Sequence, residues 1–321
     1  MRPAVLITAA LVVAMALGVA LFGSPYLTAH VTRMLVYAIF AMSLDLLIGY
    51  CGLVSLGHAA FFGIGGYTTA VLAAKLQITN VLVGLPVSIL TAALGALAIG
   101  LLTLRTKGIY FIMATLAFAE MVYFFVNDSD FLGGSDGLLV RARFRLDIGS
   151  LVSLDASDRT VTFVIALVAA ALTFIGLFLF VRSPFGRVLQ GIRSNEKRMR
   201  ALGYPVARYK LACFVIGGAL AGLAGHLHVL LTSLADPSIL DWLHSAQVLM
   251  MVIIGGLGSL IGPAIGAFVL IELIDQAAEL TEHWKLIVGV TVIAVTLFGK
   301  GGLVGLGSAL AARFHGAKVG A

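Results

Sequence analysis

The chain has 321 residues, of which 60% are hydrophobic and only 11% charged, with 37 glycines and 7 prolines. These proportions exclude an ordinary soluble domain. Small residues spread through long apolar runs favour packed membrane helices over a β-barrel, whose strands would alternate polar and apolar side chains. The formal net charge of +6 sits mainly beside apolar runs, which points to membrane topology and not to nucleic acid, because a phosphate-binding surface needs a solvated basic face of its own.

At about twenty apolar residues per crossing, spans are predicted at Ala4–Gly23, Thr32–Gly49, Leu53–Ala74, Val81–Thr103, Gly108–Asn127, Thr160–Val181, Leu211–Leu231, Ala246–Gly255 running into Leu260, Ala264–Asp275 and Trp284–Phe298. The expected fold is therefore all-α: a single polytopic membrane domain over residues 1–321 with about ten transmembrane helices, some short and broken. The first run follows Arg2 and resembles a secretory signal, but its length favours a retained span. Arg105 and Lys107 mark a cytoplasmic turn, 128–159 then falls outside and 182–210 inside, which puts both termini in the cytoplasm. Cys51 and Cys213 lie in or beside apolar segments and imply neither a disulfide framework nor a metal site.

The external loop 128–159 carries six acids and four arginines, and its stretch from Arg141 to Asp147 alternates polar and apolar residues, which predicts a small hairpin. It reads equally as a solvated connector or as a docking surface for an external protein. Two Gly-rich segments interrupt apolar runs and resemble each other: GLVSLGHAA from Gly52 and GLGSLIGPA from Gly256. Paired interruptions of this kind point to discontinuous helices beside a solute path, where a water-lined cavity or protein satisfies the freed backbone. Gly217, Gly218, Ala221, Gly222 and Gly225, and later Gly262 and Gly266, recur at spacings that suit close helix packing.

Ionisable residues inside apolar helices are costly and so become site candidates. Asp45, Glu120, Glu272 and Asp275 qualify, Glu120 being the most interior, with Tyr123 one turn away as a hydrogen-bond partner. His58 lies in the first Gly-rich break, where it either lines a solute route or closes the broken backbone. His226 and His228 are two apart and face different ways, so they do not form a zinc pair. Ser55, His58, Thr115, Glu120, Gly255, Gly256 and Ser259 are the candidates for the translocation path. No G-x-x-x-x-G-K-[ST] loop or histidine-zinc helix is present, so the chain is not expected to hydrolyse ATP or act as an enzyme.

The segment 182–210 holds eight basic residues against one acid, Glu196. It is long enough to form a helix of its own and is the natural place for a soluble partner to grip the membrane part. A transporter driven from outside its own chain is the reading that follows.

Four stretches together resemble the permease family of branched-chain amino acid ABC importers, specifically its M-type subunit: SLDLLIGYCGLVSLGHAAFFGIGGY from Ser43, LRTKGIYFIMATLAFAEMVYFFVNDSDFLGGSDGL from Leu104, GRVLQGIRSNEKRMRALG from Gly186 and VIIGGLGSLIGPAIGAF from Val252. The resemblance implies a second permease subunit of similar fold, two cytoplasmic ATPase subunits that use ATP and Mg, a periplasmic solute-binding protein and a place among the lipids of a bacterial inner membrane. No cofactor is implied in this chain itself. The stretch from Gly186 to Gly203 is similar to the family's coupling helix. That similarity implies contact with the ATPase through Gly186, Arg187, Arg193, Glu196, Arg200, Ala201, Leu202 and Gly203. Lys197 and Arg198 stand where apolar or small residues are usual. Family members also carry urea, short amides or aromatic acids, which stay open as cargo. A proton-coupled carrier using Glu120 or Asp45, and an intramembrane enzyme using His58, His226 and His228, are the competing classes.

Overall fold

A computed structural model describes residues 24–148, 152–298 and 301–305. The first expected span, Ala4–Gly23, lies outside the described residues. Helix α1 runs over Pro25–Asp45 and continues without a break into a π-helical turn, Leu46–Cys51. Ser24 starts α1 by accepting from the Leu27 N–H at 3.3 Å, with Pro25 in the first turn, where its missing N–H costs nothing. From Met34 to Ile48, with Val36, Ile39, Phe40, Leu44 and Leu47 among its apolar residues, this stretch is buried all round. It forms the axis of the bundle.

The following elements are α2 (His58–Ala74), α3 (Val81–Thr103), α4 (Ile109–Asn127), β1 (Leu138–Leu139), β2 (Arg145–Ile148), β3 (Val152–Asp155) and α5 (Arg159–Arg182). Next come α6 (Pro184–Ser194), α7 (Glu196–Ala201), α8 (Val206–Thr232), β4 (Leu234–Ala235), α9 (Trp242–Gly255), α10 (Ile261–Leu280) and α11 (Trp284–Phe298). Among the described residues, six helices are long and apolar enough to cross a membrane: α1 with its π turn, α3, α4, α5, α8 and α10. The chain is a multi-pass membrane protein.

Helices α5, α8, α9 and α10 pack around α1, and α8 also packs along α2 and α3. The small-residue rows of α8 explain that closeness. A side chain at Gly225 would strike the Phe62 carbonyl, one at Gly222 or Gly218 would strike Ala92 or Ala96 of α3, and Gly65 of α2 faces the Gly222 carbonyl. Gly266 meets the Met251 carbonyl in the same way, which draws α10 onto α9.

The structure differs from the sequence reading at several helix bounds, with α8 starting at Val206, α9 at Trp242 and α10 spanning Ile261–Leu280, and at three further places. The span expected to start at Leu53 begins only at His58, because 52–57 is not helical. The strand expected from Arg141 begins at Arg145 and pairs antiparallel with β3, while Leu138–Leu139 pairs with β4 at the end of α8. The basic segment forms two helices, α6 and α7, and not one, because Asn195 between them is extended (φ −157, ψ 96) and turns its side chain to accept from the Arg198 N–H at 3.0 Å. Asparagine favours a cap over a helix interior, so the chain restarts there.

Candidate functional site

The two Gly-rich segments are indeed the two helix breaks: 52–57 between the π turn and α2, and 256–260 between α9 and α10. Each is closed by its own serine. Ser55 Oγ accepts from the Gly57 N–H at 3.2 Å, and Ser259 Oγ accepts from the Gly262 N–H at 2.9 Å while donating to the Gly256 carbonyl at 2.8 Å. These bonds satisfy N–H groups that a helix start leaves without partners.

The remaining starts are capped crosswise. Asp45, at the end of α1 before the first break, accepts from the Gly258 N–H at 2.7 Å and the Leu260 N–H at 3.4 Å at the second break. Ser245, on α9 before the second break, accepts from the Ala59 N–H of α2 at 2.8 Å, just after the first. An anion at the start of α10 also suits the positive end of that helix. Tyr50 adds a bond from its hydroxyl to the Gly258 carbonyl at 2.8 Å. Gly49 lies so close that a Cβ there would be 2.6 Å from Gly258 N.

The basic segment meets the bundle at this same end. Helix α6 buries Gly186, Leu189 and Ile192 and turns its other face outward. Arg193 Nη1 donates to the Gly49 carbonyl. Glu196 gathers Arg200 from the next turn, Lys210 of α8 at 2.8 Å and Lys107 of the α3–α4 turn at 3.7 Å. Burial alone pushes the Glu196 carboxyl up, but the Lys210 hydrogen bond and the charges of Lys210, Lys107 and Arg200 outweigh it and hold the pKa below its ordinary value. Beyond this cluster Arg200, Ala201, Leu202, Gly203 and Tyr204 stand in the open, Leu202 with 65% of its surface exposed.

The profile of the family described as the permease component of branched-chain amino acid transport systems matches residues 26–296, which takes in both breaks and the basic helices between them. The chain belongs to this permease family. The permease is 28% identical over 292 residues to LivM, the high-affinity branched-chain amino acid transport system permease protein of Escherichia coli (strain K12), covering 85% of this chain and 68% of that protein. It is 27% identical over 267 residues to a probable branched-chain amino acid transport permease, LivM, of Methanocaldococcus jannaschii, covering 72% of this chain and 75% of that one. LivH of Salmonella typhimurium (strain LT2) is 25% identical over 282 residues, covering 84% and 91%. No solved structure matches.

The permease brings only some of the predicted site residues together. His58 is fully buried, shares a 2.8 Å hydrogen bond with Ser43 of α1 and stacks on Phe40, so its bond goes to a neighbouring helix and not back to the break. Thr115 bonds its own helix at Ile112, and its carbonyl touches Gly57, which lets α4 close against the first break. Gly255 faces the Gly262 carbonyl and Gly256 the Gly301 carbonyl, both as close backbone approaches.

Glu120 lies apart on α4, with one carboxylate oxygen buried and unpartnered; Tyr123, expected as its partner, does not bond it. Glu272 and Asp275 of α10 pair with His30 and Arg33 at the opposite end of α1. His226 bonds Thr69 at 2.8 Å while His228 meets Tyr37 and Phe62. Among the described residues no cluster is placed to hold a metal ion.

A largely apolar cleft of about 480 Å³ between α2 and α4, bordered by Tyr67, Val71, Val122 and Phe125, contains none of the predicted path residues. The sequence reading missed Gly49, Tyr50 and Ser245. The first two sit inside a stretch that carries the family resemblance, whereas Ser245 is a lone hydroxyl in an apolar helix with no sequence signal at all.

Proposed function

We propose that this permease is the M-type subunit of an ATP-driven importer that moves branched-chain or related small amino acids across a bacterial inner membrane by alternating access. In this reading it works beside a second permease of similar fold. Two cytoplasmic ATPase subunits hydrolyse ATP with Mg, a periplasmic solute-binding protein delivers the cargo, and both termini of this chain lie in the cytoplasm. The named relatives act in branched-chain amino acid transport systems, which supports the cargo class.

The observation that carries the reading is the α6–α7 pair. Its inner face is packed into the bundle, Glu196 ties it to Lys210 of α8, and its tip, Ala201 to Tyr204, is left uncovered. A half-buried lever with an exposed apolar residue at its end suits a groove on a soluble motor subunit. The second break suits the path, because a discontinuous helix there leaves Ser259 partly exposed. Asp45 is committed to two backbone N–H groups, which favours an external motor over a proton carried by that residue.

Leu202→Asp tests the lever. The residue is exposed, so the variant is expected to insert and assemble normally in the bilayer yet lose ATP-dependent uptake in vesicles; uptake equal to that of the unaltered chain sinks the coupling assignment.

A further inference from the structure

We propose that Arg193 is a positioning residue that ties the coupling helices to the second helix break, so that displacement of α6 is delivered directly to the α9–α10 junction. The inference rests on the coupling reading above and goes beyond it, because the resemblance placed Arg193 on the ATPase-facing side. The residue stays exposed, and its guanidinium reaches the Gly49 carbonyl of the bundle.

Three backbone positions converge on this one side chain. The C-terminal carbonyls of a helix have no partners within it, and a cation there also suits the negative end of the helix. Arg193 supplies both needs at the end of the π turn by donating to Gly49. Its stem runs over Gly52, where a Cβ would sit 3.3 Å from Arg193 Cγ. Its Nη1 lies 3.3 Å from where a Cβ on Gly258 would stand. Gly52 and Gly258 have φ of 75° and 77°, so each is a glycine for conformational reasons and each also leaves the room that the arginine fills.

Gly258 is held on both faces by the same end of α1. Asp45 takes its N–H and Tyr50 binds its carbonyl, so the peptide of the second break cannot move away from the π turn without losing two hydrogen bonds. Arg193 is thus linked to Gly49 directly and to Gly258 through Asp45, Tyr50 and its own proximity. Of the other charged groups of the segment, Arg200 and Lys210 are engaged on Glu196 and Arg182 over the Phe178 ring. The π turn itself is a device found most often at functional sites, where a helix tolerates a shift in hydrogen-bond register.

The test compares two reporters in the complete importer, purified with its ATPase subunits, with and without ATP and Mg. Spin labels at Lys197 of α7 and at Leu257, both exposed, are each read against a third label at Leu154 of the external hairpin. Both distances are expected to change with nucleotide in the otherwise unaltered protein. In Arg193→Met, which keeps the stem over Gly52 and removes only the donors, the change at Lys197 persists, the change at Leu257 disappears and uptake falls about tenfold or more, the scale set by one charge-assisted hydrogen bond. A full change at Leu257 in that variant overturns the proposal. Absence of any change at Lys197 in the unaltered protein overturns the coupling reading instead. Arg193→Ala, which also empties the space over Gly52, is expected to lose the Leu257 change as completely as the Met variant; a retained change there likewise defeats the assignment.

Discussion

The two helix breaks share a sequence pattern but are held together by different means. At 52–57 the bonds come from neutral hydroxyls: Ser55 on Gly57 and Ser245 on Ala59, with Ser55, His58 and Ala59 shut away from solvent. At 256–260 the hydroxyl of Ser259 is joined by an anion and a phenol reaching across from α1, and Leu257 keeps 46% of its surface exposed. A hydroxyl contributes a modest net bond, whereas a carboxylate on backbone N–H groups gives the stronger, charge-assisted kind. The first break is thus held by neutral bonds made inside the core. The second is clamped by charge-assisted bonds from α1 while part of it stays open to the surface.

The largest effect that sharpens this contrast is expected from Asp45→Ala. It leaves the N–H groups of Gly258 and Leu260 without an acceptor, at about 1–3 kcal/mol for each buried donor, and a melting curve in detergent should drop more for it than for any serine variant at the breaks. Gly49→Val comes next, because its side chain would fall on Gly258 N and on the Asp45 carboxylate; overpacking of this kind costs about 1–3 kcal/mol, and the same melt measures it. Ser245→Ala removes one neutral cap and should cost about 1 kcal/mol. If its melt falls as far as that of Asp45→Ala, the two breaks do not differ as described.

The smallest effect concerns pH and the lever. The folded-state pKa of Glu196 is depressed, so the stability that its ion pairs contribute is present above the ordinary carboxylate pKa and is lost as pH falls through the lower folded value. Amide exchange in α7 should therefore speed up on acidification into and below the carboxylate range, after correction for the intrinsic rate. Glu196→Gln should show faster exchange at neutral pH and no further change in acid. An equal acid response in the Gln variant removes Glu196 as the anchor.

Much of the bundle was legible in the sequence because apolar length and basic flanks are one-dimensional signals. Val81–Thr103 and Trp284–Phe298 agree with the predicted spans at both ends, and the glycine rows of α8 pack as their spacing required. The breaks were legible too, since several glycines close together inside an apolar run weaken the helix locally while the flanking residues still demand burial. What escaped was partnership. Asp45 read as a costly intramembrane charge, and only the approach of Gly258 and Leu260 shows what its carboxylate does. The Arg141 strand and the single coupling helix failed at their boundaries, where Thr79 and Asn80 in one case and Asn195 in the other decide where regular structure starts.

The sequence by itself determined that this chain crosses a membrane repeatedly, where its helices are interrupted, which loop is basic and to which family it belongs, because hydrophobic length, glycine and charge act through the local chain. Only the tertiary structure decided that Asp45 and Ser245 cap each other's breaks and that Arg193 reaches Gly49. Those bonds join residues far apart along the chain, and hydrogen-bond direction is a property of three-dimensional approach that no residue carries alone.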